Sequence, residues 1–185
     1  SSTGDAWQWL SVTMNAVDMF YTEAGLPMEE DPDFDYENRY NLITIPDSYS
    51  SVAVPGDQTV AMHMGREPRF YASIGFDRSR VRGYGLLYDM NLRFQERNGR
   101  QSEGDGTITR YPWPIIRLAD LYLSYAEALN EAYGVERQAE ILQYLNAIRR
   151  RSGVPTVEEA WAKAKLHPNH YTTQDGMREI IQRER

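Results

Sequence analysis

Three carboxylates that could do acid–base chemistry, Asp120, Glu127 and Glu131, lie in the most regularly patterned stretch of the chain, Trp113 to Gly134. A glycosidase needs two carboxylates on opposite sides of one bond, about 5–9.5 Å apart. On a helix, Asp120 and Glu127 are separated by about 10 Å along the axis, and Glu127 and Glu131 point outward from the same face. We therefore predict that all three belong to a solvated stripe and that none is catalytic.

Two short patterns could hold a metal ion. The acidic segment 31–38 alternates acids as a calcium loop does, but Tyr36 and Leu42 occupy the positions where an EF-hand needs glycine and glutamate. His167 and His170 have zinc-like spacing without an evident third ligand. The sequence predicts no zinc site, no EF-hand and no cofactor, and it leaves an irregular calcium site open.

Five arginines between positions 66 and 82 could bind a phosphate group. The chain has 27 acidic and 20 basic residues, which argues against a general nucleic-acid binder and favours structural ion pairs for this cluster. Without cysteine, disulfides, thiolate metal sites and cysteine catalysis are excluded. No phosphate-binding glycine loop, G-x-S-x-G or H-E-x-x-H motif occurs. These observations predict a protein that is not an enzyme.

Aromatic residues in irregular segments are the remaining candidates for a binding site. Ring faces beside polar groups suit a neutral, C–H-rich ligand such as a sugar. The same rings could instead fill the core of a loop-rich domain, and composition does not separate these two interpretations. The predicted ligand-binding residues are Tyr36, Tyr40, Tyr49 and Tyr84, helped by Trp7 or Trp9.

Two helices, at 114–133 and 136–151, are predicted to form the regular part of the fold. The first has an apolar arc wider than half its circumference, which indicates packing on two sides, and Gly134 ends it. A short connection makes the two helices antiparallel neighbours. The positions expected to be more buried than the three carboxylates are Leu118, Tyr122, Tyr125 and Leu129. Those expected to join the two helices are Leu118, Tyr122, Leu129, Leu142 and Leu145.

The chain before residue 113 has little regular pattern. One or two short helices are expected within 7–24, and 28–57 is acidic and irregular. Alternation over 69–76 predicts a strand, with a second strand possible at 85–94. The last residues, 177–185, have a helical pattern without a capping glycine, so we expect a longer protein to continue beyond them.

The order of these landmarks resembles that of the SusD/RagB family of Bacteroidetes outer-membrane lipoproteins. The most specific block is PIIRLADLYLSYAEALNEAYG at 114–134, followed by LNAIRRRSGVP at 145–155. Shorter blocks at 17–34 and 66–77 precede them in the family's order, and MREIIQRER at 177–185 is similar to the start of the family's next helix. Together the blocks span nearly the whole chain.

The resemblance implies a mainly α fold, with tetratricopeptide-like antiparallel helix pairs and an irregular, loop-rich region, which would contain the short strand pair. It also implies a non-catalytic surface protein that binds a polysaccharide or oligosaccharide and delivers it to a TonB-dependent SusC-like transporter. Residues 1–185 would be part of a single SusD-like domain. In it, 1–113 would present the ligand, 114–153 would form the helical pair and 154–185 would begin a C-terminal helical region.

The family resemblance further implies a place at the outer membrane, on the cell surface. No apolar run of 18 residues occurs, so contact with the membrane is expected only through a lipid anchor outside this chain. Family ligand residues vary with the sugar, and none is transferred here by position. Two other classes stay open: a glycan hydrolase built from 31–37 and the arginines, and a helical protein-interaction scaffold.

Overall fold

The computed structural model describes residues 12–83, 86–89 and 115–185, with side chains at 12–80 and 115–185. We call 12–83 with 86–89 the loop-rich region and 115–185 the helical region. The helices are α1 Met14–Asp18, α2 Pro68–Ser73, α3 Leu118–Tyr133, α4 Gln138–Ser152, α5 Val157–Trp161 and α6 Gln174–Glu184. The strands are β1 Leu42–Thr44, β2 Gln58–Val60, β3 Arg80–Gly83 and β4 Leu86–Asp89.

The helical region is built on α3, which contacts both α4 and α6. A short 3-10 turn at Gly134–Arg137 joins α3 to α4, so the predicted helix pair is confirmed with slightly shifted bounds. Gly153 ends α4 in the left-handed conformation, with φ of 76°. The core of this region consists mainly of Leu123, Ala126, Leu129, Ile141, Leu142, Leu145, Val157, Ala160, Trp161, Met177, Ile180 and Ile181.

One face of α3 is left open by the described residues. Leu118 is 60 % exposed and Tyr125 is 44 % exposed, so the predictions that they are more buried than the carboxylates, and that Leu118 joins the helices, were wrong. Leu129 is buried as expected, and Tyr122 packs edge-on against Tyr144 with ring centroids 5.1 Å apart. The apolar arc gives the width of the packing face, but α4 and α6 cover only part of it.

The three carboxylates of α3 do not converge on one another. Each pairs with a different arginine: Asp120 with Arg117, Glu127 with Arg185 and Glu131 with Arg178. Separate surface ion pairs agree with the predicted solvated stripe. Exposed apolar residues of the same helix, Leu121 and Tyr125, lie between the three carboxylates in the sequence.

The loop-rich region has a second core under short elements. Strands β1 and β2 pair antiparallel with Leu42 opposite Val60, and β3 and β4 pair antiparallel with Arg80 opposite Asp89. The core consists of Val17, Met28, Ile45, Ala53, Met62, Met64, Phe70 and Phe76. A short strand pair is therefore present, in a mainly α fold, as predicted.

The prediction of a strand at 69–76 was wrong, because most of this segment belongs to helix α2. Pro68 occupies the first turn, where its missing N–H and fixed φ suit a helix. Phe70 is fully buried, with its ring centroid 5.8 Å from that of Phe76. Tertiary packing of these rings overrides the period-two pattern. Strand β4 does lie within the predicted 85–94, but its partner is β3.

The N-terminal helix is shorter than expected. Of the predicted 7–24, α1 covers Met14–Asp18, and Thr13 caps it by accepting a hydrogen bond from the N–H of Ala16. After α1, Thr22 forms an isolated antiparallel β-bridge with Arg66. Residues 1–11 lie outside the described residues. Among the described helices, none is long and apolar enough to cross a membrane.

A buried arginine joins the two regions. Arg149 of α4 is fully buried and donates to Glu184 Oε1 at 2.7 Å, to the Pro155 carbonyl at 2.7 Å and to the Gly25 carbonyl at 2.6 Å. Gly25 has φ of 74°, and a Cβ there would collide with the Arg149 guanidinium. Only glycine therefore fits both the backbone and the arginine at this position.

Charged contacts continue from Glu184 into the loop-rich region. Arg69 lies 3.2 Å from Glu184 Oε2 and 2.5 Å from Glu67 Oε2. Glu67 in turn accepts a hydrogen bond from the N–H of Tyr21 at 2.8 Å. Because these groups are buried or half-buried, the network fixes α4 and α6 against the segment that leads into the loops.

Candidate functional site

The predicted residues Tyr36 and Tyr40 lie around one arginine. The Cζ atom of Arg39 is 3.8 Å from the ring centroid of Tyr36 and 4.5 Å from that of Tyr40. Arg39 also donates to the Tyr36 carbonyl at 2.7 Å. Tyr40 is 55 % exposed and Tyr36 is half-buried. We call Tyr36, Arg39 and Tyr40 the tyrosine–arginine cluster.

Local hydrogen bonds hold the loop that carries this cluster. Asp31 accepts from the N–H of Asp33 at 2.9 Å, and the Asp35 carboxylate accepts from the side chain of Asn38 at 2.9 Å. Short polar side chains commonly satisfy the backbone of turns in this way. Asp31 and Asp35 thus work as turn-forming groups, and Asp31 is itself buried.

Tyr49 has a different environment from Tyr40. Its hydroxyl accepts a hydrogen bond from the N–H of Gly65 at 3.0 Å, and its ring lies 6.3 Å from that of Tyr71. Burial raises the pKa of Tyr49 above its ordinary value. These contacts favour the core-filling interpretation for Tyr49. Tyr84, Trp7 and Trp9 lie outside the described residues.

Most described arginines of the 66–82 cluster have structural partners. Arg66 is buried and donates to the carbonyls of Val17 and Phe20, both at 2.8 Å. Burial lowers the pKa of Arg66 to about 10. Arg78 lies 3.5 Å from Asp57. Guanidinium groups used in this way leave little capacity for a phosphate.

The two histidines with zinc-like spacing both have glutamate partners. His167 Nδ1 lies 2.5 Å from Glu30 Oε1, and His170 Nε2 lies 2.8 Å from Glu179 Oε2. The hydrogen bond and charge of Glu30 raise the pKa of His167. Within the described parts of the chain, no three or more histidines and carboxylates are grouped so as to hold a metal ion.

The environment of Glu30 shows why the pairing is stable. Burial would raise the pKa of Glu30, but hydrogen bonds from His167 and from the N–H of Leu166 lower it overall. Those N–H bonds measure 2.9 Å from Leu166 and 3.0 Å from His167. Glu30 precedes His167 by 137 residues, so no local pattern in the sequence could have indicated the contact.

A crevice beside these histidines was not indicated by the sequence. It lies between the segment 19–30, the loop 161–170 and α6, and its volume is about 430 Å³. Trp161 is part of its lining, and its ring centroid is 5.4 Å from that of His170. Thr156 begins α5 with a capping box to Glu159, and this turn places Trp161 at the crevice.

Comparisons with known proteins find one matching family model and solved structures of similar fold. The model of the SusD family matches residues 84–185. The structure of "selenomethionine BT4246" matches with a TM-score of 0.65 and 22 % identity, over 95 % of this chain and 32 % of that one. A SusD-like protein from Bacteroides fragilis matches with a TM-score of 0.54 and 23 % identity, over 96 % and 33 %.

The chain spans about a third of the length of these two solved proteins. Among curated proteins, no match was found. At this identity the two structures show a shared fold, while the family model covers more than half of the chain and includes α3, α4, α5 and α6. On that match, the chain belongs to the SusD/RagB family.

Proposed function

We propose that the protein binds a polysaccharide or oligosaccharide without cleaving it and delivers it to a TonB-dependent SusC-like transporter. Membership of the SusD family is the observation that carries this proposal. The site of action is the outer membrane at the cell surface, with a lipid anchor as the attachment. The transporter and the anchor are parts of the proposal that the family supplies.

Ligand contact is assigned to the tyrosine–arginine cluster. Tyr40 is 55 % exposed, and Arg39 stacks against both rings, so a rigid surface with aromatic and hydrogen-bonding groups faces solvent. A rigid ring provides contact area at low entropic cost, which suits weak binding to a ligand that must later be released. Tyr84, Trp7 and Trp9 remain predicted contributors, and Tyr49 supports the loop from its packed position.

The acids of the loop 31–38 and of α3 support a binding role over hydrolysis. Asp31 and Asp35 accept hydrogen bonds from their own loop. The α3 carboxylates form separate ion pairs with Arg117, Arg185 and Arg178. A glycosidase would need two of these groups facing one bond across a cleft.

The two regions have different roles in this proposal. Residues 1–113 present the ligand, 114–153 form the helical pair that supports them, and 154–185 begin a C-terminal helical region within the same domain. The buried network of Arg149, Glu184, Arg69 and Glu67 gives this support a physical basis, because it fixes the loop-rich region on the helices.

A glycan array with a parallel hydrolysis assay tests the function. We expect retention of at least one polysaccharide or oligosaccharide on the array and no reducing ends released from it. Release of reducing ends from a bound glycan would favour the hydrolase, and an array without any bound glycan would favour the protein-interaction scaffold. The open face of α3, with Leu118 and Leu121 more than half exposed, is the observation that keeps the scaffold as a second candidate.

A further inference from the structure

The crevice beside Trp161 combines apolar and polar side chains in one concave surface. Its apolar lining is Met19, Pro27, Trp161, Leu166 and Ile180. Its polar lining is Glu29, Glu30, His167, His170, Glu179, Gln182 and Arg183. Ligand sites in proteins are typically concave and mainly apolar, with a few polar groups that orient the ligand.

The polar groups are held in place by one another. Glu30 pairs with His167, Glu179 with His170, and Glu29 lies 3.9 Å from Arg183. Glu179 is exposed and keeps further lone pairs beyond its one contact, since a carboxylate can accept several hydrogen bonds. Glu30 is already saturated, because it also accepts from the N–H groups of Leu166 and His167. The rim therefore offers preorganised donors and acceptors around an apolar floor.

Two residues of the lining also carry buried donors without a partner. The indole N–H of Trp161 and the Nε of Arg183 have no hydrogen-bond partner among the described residues. Both atoms are closed off from solvent, so a ligand oxygen would reach them only after a side-chain movement, which would remove the cost of an unsatisfied buried donor.

The charges of the lining limit the ligand class. Of the three carboxylates of the lining, two already pair with the histidines and the third faces the one arginine, so no cationic group is left over to bind a phosphate or another anion. In the described residues, no grouping of three metal-ligating side chains occurs here. A neutral ligand with one C–H face and several hydroxyl groups matches both the apolar floor and the mixed donors and acceptors.

The geometry points to a second glycan subsite in this crevice, which takes one neutral pyranose residue. The C–H face of the sugar would lie on the exposed side chains of Met19 and Leu166 beside Trp161, and its hydroxyls would bond to Glu179, Gln182 and Arg183. The chemical class of this ligand rests on the proposed function, but the residues are distinct from the tyrosine–arginine cluster.

The test is calorimetric titration of the protein with the neutral disaccharides maltose, cellobiose, lactose and xylobiose. Glu179→Ala removes an exposed rim acceptor, and Gln182→Ala removes a second exposed group of the same crevice. Glu131→Ala is the matched control, because it removes another exposed, ion-paired glutamate that contacts α6 outside the crevice. We expect the two crevice variants to weaken binding by about tenfold or more and the control to bind like the wild type.

Unchanged affinity in both crevice variants would overturn the subsite. If Tyr40→Ala alone lost binding in that case, the proposed function would stand without the second subsite. If none of the disaccharides bound, the subsite would be refuted, and the glycan array would decide the proposed function separately. Thermal melts of all variants show whether a loss reflects unfolding, and Gln182→Ala gives the answer if Glu179→Ala is destabilised.

Discussion

The helical region and the loop-rich region each bury a core of their own, by different means. In the helical region, backbone groups are paired within α3, α4 and α6, and apolar side chains at helical spacing fill the core. In the loop-rich region, side chains such as Arg66 and Glu67 bond directly to backbone groups of other segments. Irregular backbone can be buried only when such partners exist. The loops are therefore fixed by a few polar residues in addition to their apolar core.

The largest expected effect comes from the residue that joins the regions. Arg149→Met removes donors from Glu184 and from the carbonyls of Gly25 and Pro155, so the free energy of unfolding should fall by about 3–5 kcal/mol. Denaturant unfolding measures this loss. Arg150→Met, at the exposed neighbouring position, is the control. Equal losses in the two variants would mean that the buried network does not couple the regions.

Within the helical region, the comparison concerns the two faces of α3. Leu129 is 5 % exposed and Leu121 is 54 % exposed. Leu129→Ala should cost about 2–5 kcal/mol, whereas Leu121→Ala should stay within about 0.5 kcal/mol. Chemical denaturation of the two variants gives both values. A cost at Leu121 as large as that at Leu129 would show that this face is covered in solution.

Within the loop-rich region, a charge-conserving change should be nearly as damaging. Arg66→Lys keeps the charge but cannot reach the carbonyls of Val17 and Phe20 together with that of Met62. We expect a loss of about 2–3 kcal/mol, from buried carbonyls without donors. Arg78→Lys, at a more exposed ion pair, is the control in the same unfolding experiment. An unchanged free energy of unfolding in Arg66→Lys would refute the proposed dependence of the loops on this guanidinium.

The smallest expected effect is a pH dependence at the crevice. Since the pKa of His167 is raised in the folded state, its pairing with Glu30 stabilises the protein fully below about pH 6.5 and is lost as the pH rises through the raised pKa. His167→Gln should therefore lower the melting temperature more at pH 6 than at pH 8. The difference between wild type and variant isolates this group from His63, whose burial lowers its pKa to about 4. Equal differences at the two pH values would rule out the charged pair.

The sequence predicted the part of the fold that depends on periodicity. Helices α3 and α4 follow from apolar spacing, Gly134 ends α3 as expected, and Gly153 ends α4. The width of the apolar arc on α3 was also evident, but not which side the neighbours cover. The alternation at 69–76 predicted a strand, but Pro68 and the burial of Phe70 produce a helix there. Short segments of this kind are decided by tertiary packing.

The candidate site was predictable only in part. Composition indicated Tyr36 and Tyr40, and the structure adds Arg39 between them. The crevice could not be anticipated, because Glu30 and His167 are 137 residues apart in the chain. Contacts of that range depend on the packing of both regions and leave no local signature.

On the proposed function, the loops bind the glycan and the helices support them. Calorimetry with a glycan retained on the array separates these roles, on Tyr40→Ala and on the matched variant Tyr133→Ala. Tyr133 is 52 % exposed and stacks with Arg137 at 5.4 Å, as Tyr40 does with Arg39, but it lies in the helical region. We predict that Tyr40→Ala weakens binding about tenfold or more at an unchanged melting temperature, while Tyr133→Ala binds like the wild type. Equal affinities for the two variants would contradict the claim.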